Sequence, residues 1–272
     1  MLCVIAIGLV VTMGLMRVVN LAHGAFAAIG GYIAVILMTE VGLPFFVSIA
    51  CAVAAITVFS VLVERAFFVH LYGASELDQL LLTIGLDFLV VGGLTIFFGP
   101  NVFPMKLPPD LARSVDLGFR EFEVYRLTVI GIGAVVVTGL WIGLERTNIG
   151  AQLRAAVDNR SMAQATGINV PRLFSLTFAT GSGLAALGGA IGAPMLPLEP
   201  LYPFKYLVLV LVVVALSGYG NIRASIAVAM IVGIAETAGR YFVPQYGAFV
   251  LYVVIIVMMM WRKDGLFAGR AA

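Results

Sequence analysis

Long apolar stretches recur along the whole chain, separated by short groups of charged residues, glycine or proline. A helix needs about 20 apolar residues to cross roughly 30 Å of hydrocarbon, and several stretches approach that length. Others are shorter, which favours helices that are interrupted or re-entrant within a bundle. The pattern predicts an all-α polytopic membrane protein with about eight to nine apolar helical segments. They lie at about 2–16, 24–39, 43–63, 80–98, 127–144, 173–193, 206–216, 224–235 and 246–261.

The composition fits a membrane protein and excludes several other classes. Of the 272 residues, 62% are hydrophobic and 11% are charged, whereas a soluble domain carries about 25% charged residues. The balance of 16 basic and 14 acidic residues excludes a basic nucleic-acid binder and an acidic disordered chain. Two cysteines and two histidines are too few for a disulfide framework or the usual zinc and haem sites. We expect one transmembrane domain over residues 1–272, without a metal or cofactor of its own.

The basic residues predict the orientation of the chain, because cytoplasmic loops carry an excess of lysine and arginine. A loop at about 145–172 and the C-terminal tail both contain basic clusters, so we expect both on the cytoplasmic side. A proline-rich segment at about 99–126 then becomes an external loop, which is either a partner-docking surface or a solvated connector. The basic residues expected in the cytoplasmic loop and tail are Arg146, Arg154, Arg160, Arg172, Arg262, Lys263 and Arg270.

Polar residues interrupt the first two apolar stretches at Asn20 and His23, at a position expected to lie at membrane depth. Their side chains either bind a polar solute or satisfy the backbone groups of a broken helix. The following Gly24 permits the turn or close approach that such a break needs. A second break is expected at Ser217–Asn221, and a plain loop is the alternative at both places. Asn20, His23 and Gly24 are therefore candidates for a translocation pathway.

Two acidic residues lie within or at the end of apolar stretches, where a charged side chain is costly. Asp87 falls inside the segment at 80–98, and Glu236 closes the segment at 224–235. Both are further candidates for the pathway. Alternatively, Asp87 bonds a neighbouring helix and Glu236 pairs with Arg240 four residues later.

Small residues recur every fourth position in the segment at 173–193. On a helix, this spacing places them on one face, where a neighbouring helix can approach closely. The row predicts tight helix packing, and it consists of Gly181, Ala185, Gly189 and Ala193.

Two enzyme classes are excluded by the sequence. A P-loop needs Gly-Lys-Ser/Thr, but the three lysines follow Met105, Phe204 and Arg262. Any ATP that drives transport must therefore be hydrolysed by a separate polypeptide. The motif Thr180-Gly181-Ser182-Gly183 is somewhat similar to the nucleophile motif of rhomboid proteases, in which the histidine base follows the serine. Both histidines precede Ser182 here, so we do not expect an enzyme.

A helix-forming stretch at 154–168 lies within the predicted cytoplasmic loop. Asp158 or Asn159 can cap the start of a helix, Gly167 suits a left-handed terminator, and Pro171 prevents continuation. We predict one short helix of about two turns. Such a helix is either a rigid lever for a cytoplasmic partner or a solvated connector.

Several motifs together resemble the permeases of branched-chain amino acid ABC transporters, in the order and spacing of that family. In the first half they are Arg17-Val18-Val19-Asn20-Leu21-Ala22-His23-Gly24, Val63-Glu64-Arg65, Thr83-Ile84-Gly85-Leu86 and Phe98-Gly99-Pro100. In the second half they are Thr147-Asn148-Ile149-Gly150, the segment 156–168, Gly233-Ile234-Ala235-Glu236 and Gly265-Leu266-Phe267.

The resemblance implies a permease of the bacterial inner membrane that pairs with a second, related permease. It also implies two ATPase subunits, which carry ATP and Mg, and a periplasmic substrate-binding protein. The helix at 158–167 would be the coupling helix that sits in a groove of the ATPase. The residues expected to form this contact are Arg154, Asp158, Asn159, Met162, Ala163 and Gly167.

The chain departs from the family pattern in three places. The family has further residues before the position of Met1, so the chain looks shortened. The turn 217–223 and the sequence Arg262-Lys263-Asp264 also differ from the usual residues. These departures could mark another substrate, since relatives carry urea, short amides or other amino acids.

The function predicted from the sequence is ATP-driven import of branched-chain amino acids or related small polar solutes. An ion-coupled secondary carrier or channel that uses Asp87 or Glu236 is the alternative.

Overall fold

The computed structural model describes residues 1–16, 18, 20–116, 121–217 and 222–261. Within these ranges the chain folds into α-helices joined by short connections and one small β-hairpin. The helices are α1 Leu2–Met16, α2 His23–Thr39, α3 Phe45–Val63, α4 Val69–Leu71, α5 Glu76–Phe98, α6 Val124–Arg146, α7 Asn148–Asp158, α8 Arg160–Ala165, α9 Val170–Gly192, α10 Tyr202–Ser217, α11 Ile222–Phe242 and α12 Gly247–Trp261. A π-helical turn at Glu64–Phe68 joins α3 to α4, and a 3₁₀ turn at Pro244–Tyr246 precedes α12.

The helices confirm the predicted all-α membrane class. In the described part of the chain, four helical segments are long and apolar enough to cross a membrane by length and composition. They are Phe45–Leu71, Glu76–Phe98, Val124–Arg146 and Val170–Gly192. Shorter apolar helices of 10–17 residues are Leu2–Gly14, His23–Thr39, Tyr202–Ser217, Ile226–Gly239 and Phe249–Met258.

Local signals explain where two of the long helices begin and end. The Ser75 hydroxyl accepts a hydrogen bond from the Asp78 amide at 3.3 Å, which caps the start of α5. Gly99 follows the last residue of α5 with φ of +75°, a left-handed conformation that glycine adopts without strain. At α9, the Asn169 side chain accepts from the Arg172 amide, and a proline occupies the first turn.

The connections define two ends of the bundle. The short-helix end holds α7 and α8 between α6 and α9. The hairpin end holds the antiparallel strands β1 Ser114–Asp116 and β2 Glu121–Glu123, which lie between α5 and α6. The segment predicted as an external loop is thus a loop with a short hairpin, and a backbone bridge joins Phe103 to Leu198.

Helix α9 lies at the centre of the bundle, where it packs against α1, α2 and α3. A side chain added at Gly181 would collide with Thr12, and one added at Gly189 would collide with the backbone of Ala27. Ala185 is completely buried, and Ala193 is 4% exposed. The predicted row of small residues therefore packs against other helices, because it lets their backbones approach α9 closely.

Several sequence positions singled out above lie outside the described residues. They are Arg17 and Val19 of the first motif, residues 218–221 of the second predicted break, and the tail that includes Arg262, Lys263 and Arg270.

Candidate translocation pathway and loop interface

The chain turns back into the bundle between α1 and α2. The Nε2 atom of His23, the first residue of α2, lies 2.8 Å from the carbonyl oxygen of Ile5. Because Ile5 belongs to the first half of α1, α2 begins beside that half and not beyond the end of α1. Helices α1 and α2 are thus separate, and the histidine at the start of α2 contacts the backbone of α1.

Gly24 permits a close approach between α2 and α10. A Cβ atom added at this position would lie 2.6 Å from the carbonyl oxygen of Pro203, closer than real Cβ contacts. The start of α10 can therefore lie directly against the start of α2 only because residue 24 has no side chain. The prediction that Gly24 allows close packing is confirmed.

Several buried side chains near this break have polar atoms without hydrogen-bond partners, and the Tyr202 hydroxyl at the start of α10 is one of these atoms. Both amide atoms of Asn20, the Nδ1 atom of His23 and both carboxyl oxygens of Asp87 are in this group. Asp87 is completely buried, and the amide of Ala25 in the first turn of α2 lies near its carboxyl group without reaching hydrogen-bond geometry. Buried polar groups in folded proteins are normally paired. Unpaired groups gathered at one broken helix mark a place that can receive a polar ligand.

The space beside this cluster is small. A cavity of about 10 Å³ lies between α1, α2 and α10, lined by His23, Gly24 and Tyr202 among apolar neighbours. A cavity of this size holds about one water molecule. The conformation described here is therefore closed to an amino acid at this point.

Glu236 lies apart from the cluster at the broken helix. It is half-buried on α11 and lines an open cleft of about 810 Å³, together with Glu123 and Arg126 from the hairpin end. The residues that line this cleft include neither Asn20 nor Asp87. The side chain of Arg240, the predicted partner of Glu236, lies outside the described residues.

The loop at the short-helix end contains two helices, whereas the sequence predicted one. Arg154 belongs to the first helix, α7, and its guanidinium donates a hydrogen bond to the carbonyl of Leu144 near the end of α6. Asp158 is the last residue of α7 and does not cap a helix start. The separate helix α7 was missed because the segment 148–158 has weak start signals apart from the Thr147 hydroxyl, which accepts from the Gly150 amide.

The predicted signals around the second helix, α8, are confirmed. The Asn159 side chain accepts a hydrogen bond from the Met162 amide at 3.0 Å, so Asn159 is the cap. Gly167 adopts φ of +89° and ends the segment, as a left-handed terminator does. Ala163 is 3% exposed and faces the bundle, whereas Met162 is 62% exposed. The helix thus presents an apolar side chain away from the bundle.

One buried acidic residue, Glu64, was named in the sequence only as part of a motif. It is completely buried, and its carboxylate accepts hydrogen bonds from the hydroxyls of Tyr72 and Ser175. The apolar segment was predicted to end at residue 63, so Glu64 was not among the acidic residues predicted within apolar segments. The apolar residues Ala66, Phe67, Phe68 and Val69, which follow directly, are the signal that the helix continues.

A known protein family matches nearly the whole chain. Residues 1–259 match the family described as "Branched-chain amino acid transport system / permease component". The high-affinity branched-chain amino acid transport system permease protein BraD of Pseudomonas aeruginosa is 25% identical over 98% of this chain and 91% of its own length. No solved structure is a significant match.

Two further relatives carry a similar description. The permease protein LivH of Escherichia coli K12 is 25% identical and covers 98% of this chain and 90% of its own length. A probable branched-chain amino acid transport permease protein LivH of Methanocaldococcus jannaschii is 22% identical, over 98% of this chain and 88% of its own length. The family consists of transporter subunits, which are not enzymes in themselves. With nearly its whole length matched, the chain belongs to the family of branched-chain amino acid transport system permease components.

Proposed function

We propose that this chain forms part of the translocation pathway of an ATP-driven importer for branched-chain amino acids or related small polar solutes. The observation that carries this proposal is the family match over residues 1–259. The proposed complex includes a second, related permease, separate ATPase subunits that hold ATP and Mg, and a periplasmic substrate-binding protein. The chain would lie in the bacterial inner membrane, with the short-helix end and the C-terminus in the cytoplasm. Binding of the ATPase must then favour one of two permease conformations over the other.

Purification in mild detergent tests the composition of the complex. The chain is isolated from its native membrane, and bound proteins are identified by mass spectrometry. We expect a P-loop ATPase and a second permease to remain bound, and the complex in liposomes to accumulate leucine only with ATP and the binding protein. A chain that is recovered alone and transports leucine along a proton gradient without ATP would instead be an ion-coupled carrier. Its buried carboxyl at Asp87 would then be the candidate coupling group.

The pathway is proposed to pass the broken helix, where Asn20, His23, Gly24 and Asp87 lie. Amino acids carry an ammonium group, and the carboxyl oxygens of Asp87 have free acceptor positions in a buried setting. An ionic hydrogen bond formed there in an open conformation would hold the substrate at the break. Glu236 is a separate candidate, because its open cleft of about 810 Å³ is much larger than the cavity of about 10 Å³ beside His23.

Replacing Asp87 with asparagine tests this pathway at nearly constant side-chain volume. We expect the KM for uptake to rise about tenfold, which corresponds to the loss of one charge-assisted hydrogen bond. The matched control is Glu76→Gln, an exposed acidic residue at the start of the same helix. Uptake by proteoliposomes is measured against substrate concentration, and alanine is also introduced at Asn20 and Glu236. If a replacement does not alter the uptake kinetics, that residue is not part of the proposed pathway.

The coupling contact is proposed to be α8, with the exposed Met162 at its centre. Met162→Glu places a charge on the apolar surface that would enter the ATPase groove, so we expect uptake to be abolished while the amount of inserted permease stays normal. Val41→Glu is the matched control, because Val41 is also an exposed apolar residue, at 60%, but lies in the turn between α2 and α3. Unchanged uptake in the Met162 variant would contradict this assignment.

A further inference from the structure

A compact polar and aromatic cluster connects the short loop helix α8 to the interior of the bundle. Its buried centre is Glu64, the first residue of the π-helical turn at Glu64–Phe68. Ser175 of α9 donates to one carboxyl oxygen of Glu64 at 2.7 Å, and the Tyr72 hydroxyl donates to the other. Both oxygens of this buried group are therefore satisfied by hydroxyls from two separate parts of the chain.

The donor hydroxyl of Tyr72 is held in its protonated form. Burial, followed by the hydrogen bond to Glu64, raises the pKa of Tyr72 above its usual value. In the described residues, no lysine or arginine forms an ion pair with Glu64. The position of this carboxyl group thus depends on the two hydroxyl contacts, and through them on where α9 and Tyr72 lie.

Arg160, the first residue of α8, rests on the other side of the same cluster. Its guanidinium carbon lies 5.9 Å from the ring centre of Tyr72 and 5.5 Å from that of Phe174. The two rings meet edge to face with their centres 5.6 Å apart. A planar guanidinium over aromatic rings is a directional contact. Displacement of α8 would therefore move or release the two residues that adjoin the Glu64 hydrogen bonds, since Phe174 directly precedes Ser175.

The cluster also adjoins the helix that carries the pathway candidate Asp87. The side-chain amide of Gln79, on the first turns of α5, donates to the carbonyl of Leu71 at 3.1 Å, and Leu71 precedes Tyr72. The π-helical turn itself interrupts the regular α-helical hydrogen bonding of this long segment, and such turns are frequent at functional sites. The contacts of Arg160 thus lead to α5, to α9 and to a helix irregularity.

We propose that Arg160, Tyr72 and Glu64 act as positioning residues that transmit movement of α8 to α9 and α5. The proposal rests on the proposed function, in which α8 contacts the ATPase. ATP binding moves α8, Arg160 shifts with it, and the hydroxyl contacts of Glu64 change as the helices that line the pathway move. In this arrangement the three residues bind neither ATP nor substrate. They make ATP hydrolysis depend on the state of the pathway.

The test measures coupling in the complete importer, reconstituted in liposomes with its substrate-binding protein. Uptake of leucine and hydrolysis of ATP are measured on the same samples and divided by the amount of assembled complex. The variants are Arg160→Lys, which keeps the charge but loses the planar stacking group, Tyr72→Phe, which removes only the hydroxyl, and Glu64→Gln. We expect hydrolysis to continue while uptake per ATP falls at least about fivefold, the lower range of allosteric couplings.

Two matched controls separate this link from general effects of substitution. Arg172→Lys changes an exposed arginine in the first turn of α9, and Tyr241→Phe removes the hydroxyl of an exposed tyrosine on α11. Both should keep the uptake per ATP of the unchanged complex. In the double variant Arg160→Lys with Tyr72→Phe, the loss should be smaller than the product of the two single losses, because both residues belong to one chain of contacts.

Three results would overturn the proposal. Normal uptake per ATP in the three single variants shows that the cluster has no part in coupling. If total uptake and total hydrolysis fall only because less complex assembles, with uptake per ATP unchanged, the role of the cluster is purely structural. If no ATPase assembles with the unchanged chain, the proposed function itself fails, and the link fails with it. The first two results leave the proposed function standing, so the two failures are distinguishable.

Discussion

Helices α6 and α9 have the same length and opposite environments. Each helix spans 23 residues. Of the 18 most apolar consecutive residues, 72% are buried inside the bundle in α9, compared with 6% in α6. The buried helix is the less apolar of the two. In a membrane, lipid is as apolar as a leucine side chain, so apolar character alone does not drive a helix inward. Helix α9 is buried because its small residues allow the backbones of neighbouring helices to approach closely.

The surfaces of the two helices show this difference directly. Helix α6 exposes Ile130 and Val135, and only Tyr125 and Val129 along its length are buried. Its glycines have open space where a side chain would project, whereas Gly181 and Gly189 on α9 have none. The glycines of α6 could therefore be replaced by larger residues without a collision, whereas Gly181 and Gly189 of α9 are required for close helix packing.

The largest expected effect comes from adding one methyl group to α9. Gly189→Ala would force α2 away from α9, because the new Cβ would collide with the Ala27 backbone. We expect the complex to lose about 3 kcal/mol or more of stability, the upper range for overpacking. The measurement is the thermal unfolding midpoint and yield of the purified complex. Gly133→Ala on α6 is the control, and it should be neutral or slightly stabilising; equal unfolding of both variants would contradict the packing argument.

A second prediction concerns access from the lipid phase. Val135 should be modified readily by a carbene that light generates from an apolar diazirine reagent dissolved in the bilayer, because a carbene inserts into C–H bonds and needs no ionised thiol. Ala190 should stay unlabelled, because Ala190 is completely buried while Val135 is 72% exposed. Labelling is followed by mass spectrometry in folded and in denatured samples. Similar labelling of both positions in the folded state would show that the contrast between the helices is wrong.

The smallest expected effect concerns a polar contact that joins the two helices. The Tyr125 hydroxyl donates a hydrogen bond to the carbonyl of Ile191 at the end of α9. Tyr125→Phe removes this bond, and we expect a loss of about 0.6 kcal/mol, the average for hydrogen bonds between membrane helices. The unfolding midpoint of the complex is compared with that of Tyr241→Phe, whose hydroxyl lies on an exposed side chain. If Tyr241→Phe lowers the stability more than Tyr125→Phe does, the hydrogen bond from Tyr125 does not stabilise the packing of α6 against α9.

The sequence anticipated features that depend on neighbouring residues. The Asn159 cap and the Gly167 terminator follow from local backbone chemistry, and both are present. The break before α2 was also readable, because polar residues and Gly24 interrupt an apolar pattern. The helix α7 was missed, since the helix start was predicted at Asp158 or Asn159, whereas the Thr147 hydroxyl accepts from the Gly150 amide and begins a helix earlier.

Contacts between residues that are far apart in the chain could not be predicted from the sequence. Nothing near Glu64 in the sequence indicates Ser175, which lies 111 positions away and donates to its carboxylate. Glu236 and Asp87 were equivalent in the sequence as acidic residues in apolar segments. Only the packing separates them, with Asp87 buried near the start of α2 and Glu236 beside an open cleft.

The sequence by itself determined that this chain is an all-α membrane protein of a permease family, because apolar length, charge distribution and motif order are properties of the chain alone. The tertiary structure decided which helices are central and which polar residues meet. In a membrane, every long segment is apolar enough to face lipid, so the choice between inside and outside depends on how closely backbones can approach. That choice is made by glycine and alanine contacts between helices far apart in the chain.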